Sequence, residues 1–200
     1  MLDQQTLDRL WNFDDPALSE ARFREALAEP GYDADERAEL TTQLGRAIGL
    51  QGRFEEADAL LDAVDGDEPT VAVRVLLERG RVLNTSGHPE MAVPLFEQAA
   101  ELADHLGEEF LAVDALHMLA IADPAHAVTW TRSALEYAST VHDERTKRWI
   151  VSLHNNLGWT LHDAGRCTEA MVEFQLAEQW AGRIGTPRQQ ELAREAIKAC

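Results

Sequence analysis

The sequence predicts an all-α fold, a stack of antiparallel helix hairpins, and three observations predict it. Residues recur at a fixed step of 35: Gly45 returns as Gly80, Gly52 as Gly87, Ala57 as Ala92 and then Ala127, and Pro89 as Pro124. Within each recurring stretch the apolar positions fall three and four apart, the spacing of an amphipathic helix. Gly52 with Arg53 interrupts the stretch, so each unit holds two helices joined by a tight turn. A period in this range marks units that cannot bury their apolar faces alone and so stack on one another.

The unit that best defines the hairpin carries Leu44, Gly45, Ile48, Gly52, Phe54, Ala57, Leu61, Val64 and Pro69. Gly45 and Ala57 are small because the two helices of the hairpin touch there. The second unit repeats the pattern with Gly80, Leu83, Gly87, Ala92, Phe96 and Ala99, and Pro89 supplies a rigid first turn. The third is degenerate, with Ala115, Met118, Ala122, Ala127, Thr131 and Ala134, but Asp123 and Pro124 read as N-cap and first helical residue of its second helix. The fourth reads Asn156-Leu157-Gly158-Trp159, then Leu161, Gly165, Ala170, Phe174 and Ala177, and arrives 43 residues after the third. The eight extra residues, about two helical turns, predict a longer second helix in unit three and a longer first helix in unit four, meeting near His142-Asp143-Glu144.

At the start, Leu7, Leu10 and Trp11, then Asp15-Pro16 with Ala21 and Ala28, form a worn hairpin over residues 1–37. At the end, Thr186-Pro187 opens a helix with Leu192, Ala196 and Ile197 on one side and charges elsewhere, the character of a capping helix over 183–200. No Pro/Ser-rich linker interrupts the chain, so residues 1–200 are expected to form one domain.

Composition narrows the partners. Apolar residues make up 45% of the chain and aromatics only 6%, which suits closely approaching helices. Thirty-six acidic against 18 basic residues give a net charge of −18, a field that repels phosphate backbones and anionic lipid. Neither nucleic acid nor a membrane is an expected partner. The N-terminal residues lack a basic start and an apolar stretch, and no run approaches the roughly 20 apolar residues of a membrane helix. With two cysteines, Cys167 at a predicted helix start and Cys200 at the last position, there is no disulfide framework and no metal-ligand spacing. The expected location is cytoplasmic, with both cysteines in packing or terminal roles.

This arrangement of residues resembles the tetratricopeptide repeat, whose pattern is a Leu-Gly pair and a bulky residue in the first helix, Gly at the turn, then Ala, an aromatic and Ala. The string His154-Asn155-Asn156-Leu157-Gly158 is similar to the longer repeats of the kinesin light chain type. The resemblance covers residues 38–182. It implies a right-handed superhelical solenoid with about four repeats, acting as a non-enzymatic protein- or peptide-binding scaffold.

In that family the first helix of each repeat lines a concave groove. The face counted from the aligned glycines holds Glu39, Thr42, Arg46 and Gly49; then Arg74, Leu77, Arg81, Asn84 and Thr85; then Glu109, Ala112, Leu116 and Leu119; then Ser152, Asn155, Trp159 and His162. Arg46, Arg74 and Arg81 are therefore candidates to hold anionic groups, Asn84 and Asn155 to hold a peptide backbone, and Leu116, Trp159 and His162 to receive apolar or polar side chains. The ligand so described is a protein segment with acidic and apolar side chains. A second reading pairs Arg46 and Arg81 with Glu39, Glu78 and Glu109 to join neighbouring hairpins. Trp159 is either a ligand platform or inter-repeat core, and Trp11, Trp130, Trp149 and Trp180 are assigned to packing or helix flanks. Asn155 and Asn156 cost helix propensity relative to Ala, and the alternative to a ligand is a bond to a neighbouring loop.

The carboxylate clamp of chaperone-binding members is not matched, because Thr42, Arg46, Leu77 and Glu78 stand at its places. No cofactor is expected. The histidines form no metal or nucleophile motif, and His154 and His162 are about 12 Å apart along one helix, too far for one ion. The alternative function is a self-associating assembly scaffold, a homodimer formed through the worn N-terminal end or the concave face.

Overall fold

The computed structural model describes Leu2 and residues 4–199, with the backbone alone at Gln4 and Gln5; Cys200 lies outside the described residues. The fold is all-α, with no strand among those residues. Two compact units divide the chain, residues 1–106 and 107–200.

The first unit contains α1 (Gln4–Leu10), α2 (Pro16–Ala28), α3 (Ala34–Gly49), α4 (Phe54–Asp62), α5 (Pro69–Thr85) and α6 (Pro89–Leu106). Asp15 caps α2, accepting from the Leu18 amide, and Pro16 starts it. Asp33 and Glu36 form a reciprocal capping box on α3. The hairpins α3–α4 and α5–α6 pack internally, and α3 lies against α5. Leu7, Phe23, Leu40, Leu44, Ile48 and Leu61 form one buried cluster, so the worn N-terminal hairpin shares the core of the first repeat.

A tie on the polar side joins α2 to the α3–α4 turn. Glu20 accepts from Gln51 at 2.7 Å and from Arg53 at 2.6 Å, and pairs with Arg24 at 2.8 Å. Burial pushes the Glu20 carboxyl up, but the donors from Gln51, Arg24 and Arg53 outweigh it and hold the group below the ordinary glutamate range.

The second unit contains α7 (Glu109–Ala122), a 3₁₀ turn at Pro124–His126, α8 (Ala127–Thr140), a short α9 (Glu144–Lys147), α10 (Trp149–Asp163), α11 (Cys167–Ile184) and α12 (Pro187–Ile197). Its core comprises clusters around Val113, Ala138 and Leu153, around Leu157 and Phe174, and around Val151, Ala181 and Ala193. Cys167 opens α11 and is exposed.

The same turn closes the hairpins of repeats one, two and four. Gly52, Gly87 and Gly165 have φ of 78°, 93° and 74°, and the next residue's amide bonds back five positions: Arg53 to Ile48, His88 to Leu83, Arg166 to Leu161. Inside the hairpin the fit is steric. A Cβ on Gly158 would come within 2.3 Å of the Phe174 ring, and one on Gly80 within 2.4 Å of Phe96. In the third repeat the equivalent pair is Ala115 and Thr131: where a Cβ is present, the ring opposite is gone.

Two expectations for the second unit are corrected. The eight extra residues lengthen neither flanking helix. They form a break at Val141–Asp143 and the separate helix α9, because the Asp143 carboxylate accepts from both the amide and the hydroxyl of Thr146 and starts a new helix. Those bonds, the Thr146 amide foremost, hold the Asp143 carboxyl below its ordinary range. Asp123 makes no side-chain cap. Its carboxylate accepts from the Trp130 indole at 3.0 Å and meets His126 at 2.8 Å, so Pro124 starts a 3₁₀ turn instead of α8 itself.

Candidate functional site

In the first unit the arginine face is a row of ion pairs where α3 meets α5, one joining the two helices and one within α5. Arg74 meets Glu39 at 2.7 Å, and Arg81 donates to Glu78 at 2.7 Å. The carboxylates lie 2% exposed. Arg46 Nε stands 3.9 Å from Glu78 Oε2, beyond hydrogen-bond reach, and its guanidinium lies 5.3 Å from the ring centres of both Trp11 and Phe13. The three arginines differ in access: Arg46 has 26% of its side chain exposed, Arg74 and Arg81 12% each. Glu39 also accepts from the Leu2 amide at 3.0 Å, and the Trp11 indole donates to Gln43. Asn84 is half-buried in the last turn of α5.

Spacing along the helices placed these residues on one stripe. The stripe is not uniformly open, since Thr42 and Leu77 on it are buried. Neighbouring first helices approach closely enough to bury part of the face that was counted as groove. A cleft of the first unit, about 600 Å³, is lined by Phe54, Val82, Leu83 and Leu95 with Asp58 and Arg79, whose guanidinium pairs with Asp62.

In the second unit a cleft of about 250 Å³ opens among α7, α10 and α12. Ser152, Asn155 and Asn156 of α10 line it, with His117 of α7, Trp149 at the start of α10, and Gln189 and Leu192 of α12. Among the described residues this lining holds no carboxylate, ammonium or guanidinium. The sequence placed Ser152 and Asn155 on the groove face, but it missed Trp149, read as packing or a helix flank, and Gln189, within the expected capping helix, as parts of a cleft. Only the packing of α12 on α10 brings Gln189 to this place: its amide donates to Ser152 Oγ at 3.1 Å while its carbonyl oxygen accepts from the Thr186 amide in a capping box. Within the cleft's lining two buried polar atoms lack a hydrogen-bond partner, the Trp149 indole Nε1 and Asn155 Oδ1. Such atoms are rare in folded proteins, and each costs free energy until it is satisfied.

Farther along α10, Trp159 has its ring edge against Phe174 and its neighbour His162 against it, at centroid distances of 5.2 and 5.4 Å. It remains 38% exposed, so it packs on the hairpin core and presents a face at once. His162 Nδ1 lies 3.3 Å from Asp163, and His154 Nδ1 lies 2.7 Å from Glu173 of α11. Leu116 points to the cluster around Val113 and Leu153 and is partly buried there. Among the described residues no three His, Cys, Asp or Glu side chains gather as metal ligands. No single helix among them is long and apolar enough to cross a membrane; the only pair that qualifies jointly, Glu109–Ala122 with Pro124–Thr140, is bent by 108°.

Helix hairpins joined by the same glycine turn and stacked first helix on first helix are the geometry of one repeat family, and its model, the Tetratrico peptide repeat, matches residues 12–76 and 72–178. The chain belongs to the tetratrico peptide repeat family. No curated protein sequence matches this repeat protein. Among solved structures it is similar to Bacillus thuringiensis PlcR in complex with the peptide PapR7 and DNA, at 14% identity over 96% of this chain and 71% of that one, with a TM-score of 0.76. It is similar also to the Rap conjugation gene regulator of the plasmid pLS20 in complex with the Phr* peptide, at 16% identity over 90% and 53% of the two chains, with a TM-score of 0.66. A kinesin light chain-like repeat protein of Podosopora anserina matches at 18% identity over 90% and 93%, with a TM-score of 0.58. At these identities the likeness is one of fold.

Proposed function

We propose that this repeat protein is a non-enzymatic module that captures an extended segment of another protein. The observation that carries the reading is the inner face of α10. Ser152, Asn155 and Asn156 offer hydrogen-bonding groups in a cleft, and Trp159 with His162 offers an aromatic platform on the same helix. Amides bond both the N–H and the C=O of an extended backbone, and a half-exposed indole gives an apolar side chain a place to rest. In the first unit Arg46, over Trp11 and Phe13 and the most exposed of the three arginines, serves to meet an acidic side chain, and Asn84, half-buried in the last turn of α5, to meet a backbone. Arg74 and Arg81 serve by neutralising Glu39 and Glu78. The peptides bound by PlcR and by the Rap regulator support the same kind of ligand here. The DNA of the PlcR complex is not carried over, because a chain of net charge −18 repels a phosphate backbone.

The test is selection of a random peptide display library on the immobilised full chain. A recurring sequence should emerge, and its binding should fall at least about tenfold in Asn155→Ala and in Trp159→Ala, each with an unchanged helical circular dichroism spectrum. Failure to enrich any recurring sequence, or equal binding by both variants, refutes the reading. Light scattering that finds a dimer stable to dilution favours the assembly scaffold instead.

A further inference from the structure

The cleft of the first unit lies outside the face assigned to the captured segment. Its floor is a stripe of α5, Arg79, Val82, Leu83 and Ser86, at the three- and four-residue spacing of one helix face. At about 100° per residue this stripe lies on the other side of α5 from Arg74 and Arg81. α5 packs against both α4 and α6, and these helices supply the walls: Phe54, Glu55 and Asp58 on one side, Leu95 on the other. Met91, one turn before Leu95 on α6, is 54% exposed and extends the apolar wall toward solvent. At about 600 Å³ the cleft has the size of sites that bury a drug-sized ligand, roughly 300–1,000 Å³, so it accepts more than one side chain.

The charges around this cleft are not balanced. Arg79 pairs with Asp62, Glu56 pairs with Arg53 and Arg24, and His88 lies 3.8 Å from Glu90, so these groups are engaged within the chain. Glu55 and Asp58, three apart on one face of α4, are exposed and have no ion-pair partner among the described residues. An apolar floor beside two unpaired carboxylates is complementary to apolar side chains flanked by lysine or arginine, whose stems lie along apolar surface while their charged ends reach a carboxylate. An acidic segment would bring like charge to Glu55 and Asp58, and the field of a chain with net charge −18 opposes it further.

We propose that this cleft is a second docking surface, for a basic amphipathic segment of another protein, with apolar side chains seated over Val82 and Leu83 between α4 and α6 and Lys or Arg side chains paired with Glu55 and Asp58. The inference goes beyond the segment-binding reading, since it uses the opposite side of α5 and takes a partner of the opposite charge.

The experiment uses the full chain at about 0.15 M salt, where fields between distant exposed charges are screened, and three short fluorescein-labelled peptides read by anisotropy. The first is a Leu/Lys peptide with its leucines at helical spacing, the second carries Glu for every Lys, and the third is a scrambled isomer of the first without an apolar face. The Leu/Lys peptide should bind saturably, and the other two at least about tenfold more weakly. Glu55→Gln with Asp58→Asn should weaken its binding at least about threefold, the modest effect of exposed pairs. Glu101→Gln with Asp104→Asn, which removes the same charge at the same spacing from exposed positions farther along α6, should leave it unchanged. Leu95→Ala should weaken it at least about fivefold; the carboxylate variant alters only exposed side chains and decides the matter if Leu95→Ala fails to fold. Equal losses in the two charge variants, equal binding of the scrambled isomer, or no saturable binding overturns the proposal. Loss of binding in Trp159→Ala assigns the peptide to the groove and overturns it as well, while failure of this surface leaves the segment-binding reading standing on its own test.

Discussion

Replacing Glu39 with Ala tests whether the first-unit arginines are structural or free for a partner. Glu39 is 2% exposed, and its carboxylate takes the Arg74 guanidinium at 2.7 Å and the Leu2 amide at 3.0 Å. Arg74 is itself only 12% exposed, so removing Glu39 leaves a guanidinium with little access to water. Breaking one side of a buried pair costs about 3–5 kcal/mol, far more than the 0–1 kcal/mol of an exposed pair. At roughly 2–4 °C per kcal/mol for a chain of this length, the unfolding midpoint should drop by about 6–20 °C. Thermal unfolding followed by circular dichroism reads this directly, and Glu39→Met with Arg74→Met should recover most of the loss because no charge is then stranded. A fall of less than about 1 kcal/mol would show that water reaches the pair. The assignment of Arg74 to neutralising Glu39 would then be wrong, and its guanidinium would be available to a ligand.

Gly158→Ala should destabilise by about 1–2 kcal/mol, because the overpacking cost against Phe174 exceeds the gain of about 1 kcal/mol in helix propensity. Adding Phe174→Leu should show a favourable coupling of about 1 kcal/mol or more in a denaturant double-mutant cycle; additivity would mean that ring and glycine do not compete for the same space. The Glu20 carboxyl is held below its unfolded value, so the stability it contributes is fully present above the ordinary glutamate range and is lost as pH falls through the lower folded value. In urea titrations from pH 7 to pH 3, Glu20→Gln should therefore be less stable than the parent at pH 7 and converge with it at the acid end. A difference that persists unchanged at pH 3 would rule out this linkage.

The sequence by itself determined the repeat. Spacing of Gly45, Gly80 and Gly158 against the partner sixteen residues on, and the recurrence of a turn glycine, encode contacts within a hairpin, and such contacts are local enough to be read from periodicity. Recognition of the family followed from these positions. The extra residues before the fourth repeat were visible as an excess, but whether they extend helices or break them depended on Asp143 finding the Thr146 amide and hydroxyl, a bond that spacing does not predict. The character of the arginine stripe was decided only in three dimensions, because two side chains a helix apart reveal nothing of their pairing until α3 and α5 are placed in contact. The cleft in the second unit depended still more on tertiary structure. Its lining comes from residues as distant as His117, Trp149 and Gln189, and an unsatisfied buried atom is a property of an environment, which no single position in the chain carries.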